Sequence, residues 1–151
     1  DFRYEDDTPF EVFERFRMDD VPRLSIALRD YGFGCYNAKA KGIYQLVRAN
    51  LNLKTCTVND LEKISGIGMK TSRLFVLHTR ENAKCIPLDV HVLHYLRDLG
   101  HDVPKATPGK KKYLEIEKLC LSYVKKSKKT CAAWDLDTWR EYSGNKIKIA
   151  I

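Results

Sequence analysis

Apolar side chains recur every three or four positions along most of this chain, and strand-like patterns are confined to short stretches such as residues 146–151. This spacing is that of amphipathic helices, so we predict an all-α fold. A first helix is predicted to begin at Thr8 and Pro9, because a capping side chain followed by proline is typical of a helix N-terminus. Its apolar face carries Phe10, Phe13 and Phe16.

The remaining helices follow from the same spacing and from the residues that begin or end them. Asp89 is expected to cap a helix that Gly100 ends, since aspartate is favoured at N-caps and glycine just beyond helix C-termini. Thr57 and Asp60 have the spacing of a capping box and are expected to cap the helix that precedes the glycine-rich residues 64–70. The other predicted helices cover about residues 22–32, 37–51, 111–126 and 131–142.

A glycine-rich hairpin, Ile64-Ser-Gly-Ile-Gly-Met-Lys70, lies near the middle of the chain. We predict short helices over residues 61–64 and 71–78 on either side of it, which together form a helix-hairpin-helix. Gly66 and Gly68 are expected to adopt positive φ and to leave their backbone N–H groups open to a phosphate. The turn therefore suits a phosphate backbone.

The chain is 151 residues long, 44% hydrophobic and 31% charged, which indicates a globular protein with one core. No apolar run approaches the roughly 20 residues that span a bilayer, so we expect no membrane partner. We predict a single domain over residues 1–151. It is divisible into two helical lobes, with residues 22–99 forming one and residues 1–21 plus 100–151 the other.

Charge is unevenly distributed along the sequence. Residues 1–20 carry eight acidic and three basic side chains, whereas residues 21–151 carry a net charge of +12. A basic body of this kind attracts polyanions through counterion release, and its lysines are densest over residues 105–129. The alternative for any single basic run is a solvated lysine face without a partner.

The cysteine pattern bears on the cellular compartment. The cysteines are five in number and contain no C-x-x-C pair, so they indicate thiols in a reducing, intracellular compartment rather than a disulfide framework. They stand at positions 35, 56, 85, 120 and 131.

Lys70 at the exit of the hairpin and Asp89, nineteen residues later, are the candidate catalytic residues. The first turn of a helix favours the neutral form of a lysine, which can attack a sugar C1′ and form a Schiff base. A nearby aspartate would stabilise a cationic sugar and help to transfer protons. The alternative is that Lys70 is an ordinary exposed lysine and Asp89 only an N-cap.

Three motifs carry a family resemblance: Tyr36-Asn-Ala-Lys-Ala40, the hairpin over residues 61–71, and Asp89-Val-His91. Together they resemble the helix-hairpin-helix, Gly/Pro-Asp superfamily of base-excision DNA glycosylases, which includes endonuclease III. The match covers about residues 22–99. In that superfamily a lysine at the position of Lys70 marks glycosylases that are also abasic-site lyases. The resemblance therefore implies that Lys70 is the Schiff-base nucleophile and Asp89 the catalytic carboxylate.

The resemblance also implies how such a protein would bind its substrate. The partner would be double-stranded DNA with a damaged base or an abasic site, bound by a monomer associated with DNA in the nucleoid, cytoplasm or nucleus. The implied DNA-binding residues are Gly66, Gly68, Lys70, Thr71, His91, Asn37 and Lys39. The backbone carbonyls of Glu62, Ile64 and Ile67 would bind a monovalent cation, Na⁺ or K⁺.

The C-terminal third adds a second resemblance. Lys112-Tyr-Leu-Glu-Ile-Glu117, Asp135-Leu-Asp-Thr-Trp139 and Tyr142-Ser-Gly are similar to the end of the small archaeal-type 8-oxoguanine DNA glycosylases. The implied substrate is 8-oxoguanine, and the implied base pocket contains Trp134, Asp135 and Trp139, with Asp137 beside them. The two tryptophans are equally well explained as core residues.

Two departures from the family pattern stand out. Endonuclease III carries a four-cysteine iron-sulfur loop, whereas this chain has only Cys120 and Cys131 in that region, so we expect no cluster and no required cofactor. No Gln- or Asn-bearing stretch over residues 10–25 identifies the residue that would fill the gap left by a flipped base. The competing functions are a glycosylase for oxidised or modified pyrimidines and a non-catalytic helix-hairpin-helix module that only binds DNA.

Overall fold

The structure is a computed structural model that describes residues 17–144, and over that range it is all-helical, without a strand. The prediction of an all-α fold is therefore confirmed for these residues. The predicted helix at Thr8 and the strand-like residues 146–151 lie outside them. The chain divides into two compact units, residues 1–68 and 69–151, which we describe separately. The two lobes expected from the sequence divide the chain elsewhere, and that division stays a prediction.

The first unit contains a short 3-10 helix, Met18–Asp20, followed by the helices α1 (Val21–Asp30), α2 (Tyr36–Arg48) and α3 (Val58–Leu61). Pro22 lies in the first turn of α1, where a missing N–H group breaks no hydrogen bond. Helices α1 and α2 pack against each other. They confirm two predicted helices, although α2 ends at Arg48, before the apolar position Leu51.

The cap of α3 follows its sequence, but the helix is placed differently from the prediction. The Thr57 hydroxyl accepts a hydrogen bond from the Asp60 amide at 3.2 Å, and the Thr57 amide donates to the Asp60 carboxylate at 3.0 Å. The Thr57 hydroxyl also donates to this carboxylate, at 2.7 Å. The bonds from the Thr57 amide and hydroxyl, together with Lys63, lower the pKa of Asp60 to about 2. The predicted cap of the first hairpin helix is confirmed, but that helix covers Val58–Leu61. The predicted extent over residues 61–64 is wrong, because turns follow Leu61.

The glycine-rich turn is seated on α2. The Ser65 amide donates a hydrogen bond to the Gln45 side-chain carbonyl at 2.7 Å. A Cβ atom on Gly42 would overlap the Ser65 carbonyl oxygen, so this close approach requires glycine. Gly66 has a φ of +82°, as predicted. The prediction of a positive φ for Gly68 is wrong, and a Cβ there would meet nothing within 4 Å.

The second unit contains α4 (Met69–Thr79), α5 (Val90–Asp98), α6 (Lys110–Ser127) and α7 (Cys131–Tyr142). Helix α7 packs against α4, α5 and α6. Gly100, with a φ of +83°, follows the end of α5, so the predicted end of that helix is confirmed, as are the helices over residues 111–126 and 131–142. The core includes Leu77, Ile86, Leu88, Val92, Leu93, Leu96, Tyr113, Ile116, Cys120 and Trp134.

A buried polar network holds the extended segment 85–88, which precedes α5. Glu117 accepts hydrogen bonds from the Arg73 guanidinium at 2.8 Å and from the Ile86 amide at 3.0 Å through the same oxygen. The Tyr113 hydroxyl accepts from the Leu88 amide at 2.8 Å and donates to the Ile86 carbonyl at 3.1 Å. Two side chains of α6 therefore satisfy the backbone of a segment that has no strand partner within residues 17–144.

Replacing Glu117 tests this network. We expect Glu117→Gln to lower the free energy of unfolding by about 3–5 kcal/mol, because it removes the charge of one partner from a buried ion pair. Urea unfolding measures the change. Glu115→Gln is the matched control: it lies on the same helix in an exposed pair with Lys112 at 3.7 Å, and it should cost about 0–1 kcal/mol. Equal costs for the two variants would contradict the proposed role of the network.

Candidate active site

A cleft of about 450 Å³ in the second unit brings several of the predicted site residues together. Three parts of the chain line it. Helix α4 contributes Lys70, Leu74 and His78, which are four residues apart and so share one helix face. The Pro87–Asp89 segment forms a second part, and α7 contributes Asp135, Leu136 and Trp139. The predicted pair Lys70 and Asp89 therefore lies in one cleft.

Asp89 is an N-cap, as one interpretation of its sequence position predicted, and it also lines the cleft. It is the N-cap of α5, and its Oδ1 accepts hydrogen bonds from the amides of His91 and Val92, both at 2.9 Å. Its own amide donates to the Pro87 carbonyl at 2.8 Å. The second oxygen, Oδ2, makes no hydrogen bond within residues 17–144. The cap thus orients the carboxylate and leaves one oxygen for another partner.

Lys70 lies in the first turn of α4, exposed at the cleft. Its amine forms no ion pair within the described residues, so it is accessible to a ligand. No cysteine lines this cleft, and burial raises the pKa of Cys85 to about 11 and that of Cys120 to about 12. Those thiols stay protonated at neutral pH and pack in the core.

Asp135 is a buried carboxyl in the wall of the cleft, only 7% exposed. Its Oδ2 lies 3.2 Å from Nε2 of His78. Burial raises the pKa of Asp135, against the opposing effect of His78, and the nearby Asp89 charge raises it further. Sequence reasoning selected Asp135 but missed His78. The available signal was its position on the same face of α4 as Lys70, two turns further along.

Of the other residues that were predicted for the base pocket or beside it, one lines the cleft and two do not. Trp139 lines the cleft. Trp134 is buried in the core, edge-on to Tyr95 with ring centroids 5.4 Å apart. Asp137 pairs with Lys129 at 2.8 Å and does not line the cleft. Residues 135 and 139 share a helix face because they are four apart, whereas 134 and 137 point elsewhere.

The residues predicted to bind the DNA backbone occupy both units. In the first unit, Asn37 accepts a hydrogen bond from the Ser25 hydroxyl, and Lys39 is exposed with its amine 5.2 Å from the centre of the Phe33 ring. The amides of Gly66 and Gly68 donate no hydrogen bond within the described part of the chain. In the second unit, Thr71 is exposed.

His91, the last of the predicted DNA-binding residues, lies in the second unit next to the Asp89 cap. Its Nδ1 is 3.2 Å from the Tyr142 carbonyl oxygen. This hydrogen bond joins the start of α5 to the end of α7 and fixes the orientation of the imidazole ring.

No group of three or more His, Cys, Asp or Glu side chains in residues 17–144 is arranged to hold a metal ion. The predicted monovalent cation would use backbone carbonyls instead. Of these, the Ile64 carbonyl already accepts a hydrogen bond from the Ile67 amide at 3.1 Å. A carbonyl oxygen has a second lone pair, so the cation site stays a prediction.

No protein-family model matches the chain, and no solved structure matches it. Among the described residues, no helix has both the length and the apolar character needed to cross a membrane. Inferences about function therefore start from the cleft and from the sequence motifs.

The raised pKa of Asp135 predicts how stability depends on pH. A carboxyl whose pKa is higher in the folded state binds its proton more tightly there, so its contribution is fully present below the unfolded pKa of about 3.9 and is lost as the pH rises through the folded pKa. The Asp135→Asn variant has no carboxyl to ionise, so it does not lose stability in this way as the pH rises. We therefore expect the variant to melt a few degrees, on the order of 2–4 °C, above the wild type at pH 7.5 and level with it at pH 3.5.

Asp137→Asn is the control for this measurement, since the hydrogen bond and charge of Lys129 lower the pKa of Asp137. Its contribution to stability is present above the unfolded pKa and is lost as the pH falls, the opposite sign. Thermal unfolding at both pH values compares the two variants. A lower melting temperature for Asp135→Asn at pH 7.5 would show that the buried carboxyl stabilises the fold.

Proposed function

We propose that this protein is a base-excision DNA glycosylase that also nicks the abasic site, with Lys70 as nucleophile and Asp89 as the charge-stabilising carboxylate. One observation is the main support for this proposal. Lys70 and Asp89, which the sequence singles out for this chemistry, line one cleft together with Asp135 and Trp139. A primary amine, carboxyl groups and a flat aromatic surface are the groups that excision of a flipped base requires.

The reaction follows from these groups. The Lys70 amine attacks the sugar C1′, and the bond from C1′ to the base breaks, with its electron pair leaving on the base. The free oxygen of Asp89 stabilises the positive charge that develops on the sugar. After the sugar ring opens, the Lys70 adduct is a Schiff base. Loss of a C2′ proton from it then eliminates the 3′ phosphate and nicks the strand.

The cleft also suits a flipped nucleobase. Its volume of about 450 Å³ lies within the range of small-molecule sites, about 300–1,000 Å³. Trp139 would supply a stacking surface and Asp135 a polar contact for an edge of the base. We propose 8-oxoguanine as that base. The support for this choice is the similarity of residues 112–144 to the small archaeal-type 8-oxoguanine glycosylases.

Double-stranded DNA is the proposed partner because the body of the chain is basic. Residues 21–151 have a net charge of +12, and α6 exposes Lys110, Lys111 and Lys112 in its first turn. In the first unit, the free amides of Gly66 and Gly68 suit a phosphate. Contacts of this kind would position the protein on any duplex, whereas the base in the cleft would set specificity.

Two alternatives share part of this support. A glycosylase for oxidised pyrimidines would use the same Lys70 and Asp89, and single-turnover release from 8-oxoguanine and thymine glycol duplexes separates the two substrates. A non-catalytic helix-hairpin-helix module would bind DNA without needing either residue. The cleft favours an enzyme over this module, because DNA-backbone binding alone requires no buried carboxyl beside an accessible amine.

Trapping the covalent intermediate tests the proposal. With abasic-site DNA and borohydride, the wild type should give a stable protein–DNA adduct, because borohydride reduces a Schiff base to an amine. Lys70→Gln should abolish the adduct, since a glutamine amide is not nucleophilic. Asp89→Asn should slow base release by a factor on the order of 10² to 10⁴.

The matched control for Lys70→Gln is Lys84→Gln, which makes the same charge change at an exposed lysine outside the cleft. It should trap as the wild type does. Equal trapping by Lys70→Gln and the wild type would exclude Lys70 as the nucleophile.

Two glycine variants test the hairpin as a phosphate site. Gly68→Ala should leave the melting temperature unchanged, because its Cβ enters open space, yet it should weaken duplex binding by keeping a phosphate away from the backbone. Gly66→Ala should instead lose about 1–2 kcal/mol of stability, the cost of a left-handed conformation for alanine. Fluorescence anisotropy at several salt concentrations measures binding. Wild-type affinity for Gly68→Ala would argue against a phosphate at this turn.

A further inference from the structure

The cleft contains a second polar pair that the proposed roles of Lys70 and Asp89 do not use. His78 and Asp135 are joined at 3.2 Å across the interface of α4 and α7. Asp135 is nine-tenths buried, and its Oδ1 makes no hydrogen bond within residues 17–144. This oxygen belongs to a residue that lines the cleft, so it is available to a hydrogen-bond donor of a ligand bound there.

The two carboxyl groups of the cleft have different surroundings. Asp89 accepts two backbone hydrogen bonds as an N-cap. Asp135 lies within α7, whose amides are used by the helix, and its partner is the imidazole of His78. The titratable groups facing it in the cleft are Lys70 and His78 from α4 and Asp89 from the start of α5. Burial and the Asp89 charge both raise the pKa of Asp135, which favours its protonated form.

The proposed reaction needs a proton at a defined moment. When the bond from C1′ to the base breaks, the base leaves with the electron pair and is an anion until it is protonated. At the same time the Lys70 nitrogen, now bonded to C1′, carries a positive charge and must lose a proton. Neither step is assigned to Asp89, whose free oxygen faces the sugar charge in the proposed mechanism.

We propose that the His78–Asp135 pair gives a proton to the departing base and then takes one from the Lys70 adduct. The inference rests on the proposed function. The atoms and charges of this step balance. The Lys70 lone pair forms the new bond to C1′ while the bond to the base breaks, and the electrons left on the base accept a proton from His78–Asp135. The Lys70 nitrogen then gives its excess proton to His78–Asp135, which returns to its starting state. The net change is transfer of one amine proton to the base.

The position of His78 suits this role. It lies on the same face of α4 as Lys70, and its side chain is 41% exposed whereas that of Asp135 is 10% exposed. The pair therefore has one end in the cleft wall and one end in contact with water. His78 can renew the proton from solvent, while burial of Asp135 keeps the proton inside the cleft between turnovers.

The test separates base release from reaction with an abasic sugar. Asp135→Asn and His78→Gln are compared with the wild type in single-turnover release from 8-oxoguanine and thymine glycol duplexes, and in borohydride trapping on a preformed abasic duplex. We expect both variants to slow base release by roughly 10² to 10⁴. Trapping should slow by less than about fivefold, because an abasic sugar has no base to protonate and its C1′ hydroxyl can take the amine proton as it leaves as water.

The dependence of base release on pH gives a second readout. The wild-type rate of base release should fall as the pH rises through the titration of Asp135, because the protonated carboxyl is lost. Asp135→Asn should lack this fall. Asp137→Asn is the matched control, since it removes the same charge two residues away on α7 outside the cleft, and its rates should equal those of the wild type.

Each contrary outcome has a distinct meaning. Wild-type base release by both variants would overturn the inference, as would an equal loss of release and trapping, which indicates a structural role. If Asp135→Asn does not fold, His78→Gln alone decides the question, because His78 is the more exposed residue of the pair. A wild type that does not trap abasic DNA would overturn the proposed function as well. If the wild type traps abasic DNA but releases neither base, the result would contradict both the proposed glycosylase activity and the role of His78 and Asp135.

Discussion

The buried ion pair between Arg73 and Glu117 is the interaction on which the second unit depends. Segment 85–88 is extended and fully buried, so its backbone amides and carbonyls need partners away from water. Glu117 and Tyr113 provide them, and Arg73 balances the charge that Glu117 brings into the core. Each of these backbone groups would cost about 1–3 kcal/mol if it lost its partner. The network is therefore a condition for this segment to lie in the core.

The same network sets the geometry of the cleft. Asp89 follows segment 85–88 directly, and Lys70 lies one turn before Arg73 on α4. A single charged pair thus connects the helix that carries the proposed nucleophile to the segment that carries the proposed carboxylate. Reacting groups lose much of their effect when they move by an ångström. A buried connection of this kind holds Lys70 and Asp89 at a fixed distance and orientation, although they are nineteen positions apart in sequence.

The sequence predicted correctly the features that depend on residues close together in the chain. Thr57 and Asp89 cap their helices because capping depends on residues two or three positions away, and α6 and α7 follow from the spacing of their apolar residues. Which side of a helix faces the core depends on residues that are distant in sequence. The sequence of α7 therefore could not show that Trp134 is buried in the core and that Trp139 lines the cleft. His78 was missed for the same reason. Gly42 was also missed, since its requirement comes from Ser65 in another segment.

The two carboxyl groups also show why the alternatives at Asp89 did not exclude each other. An N-cap uses one carboxylate oxygen and fixes the direction of the other, so a residue that begins a helix is well suited to hold a ligand. A carboxyl inside a helix has no free amide to bind and depends on other side chains, as Asp135 depends on His78. In both residues one oxygen serves the fold and one does not. Those two remaining oxygens belong to residues that line the same cleft as Lys70, which is why any chemistry of this protein is expected there.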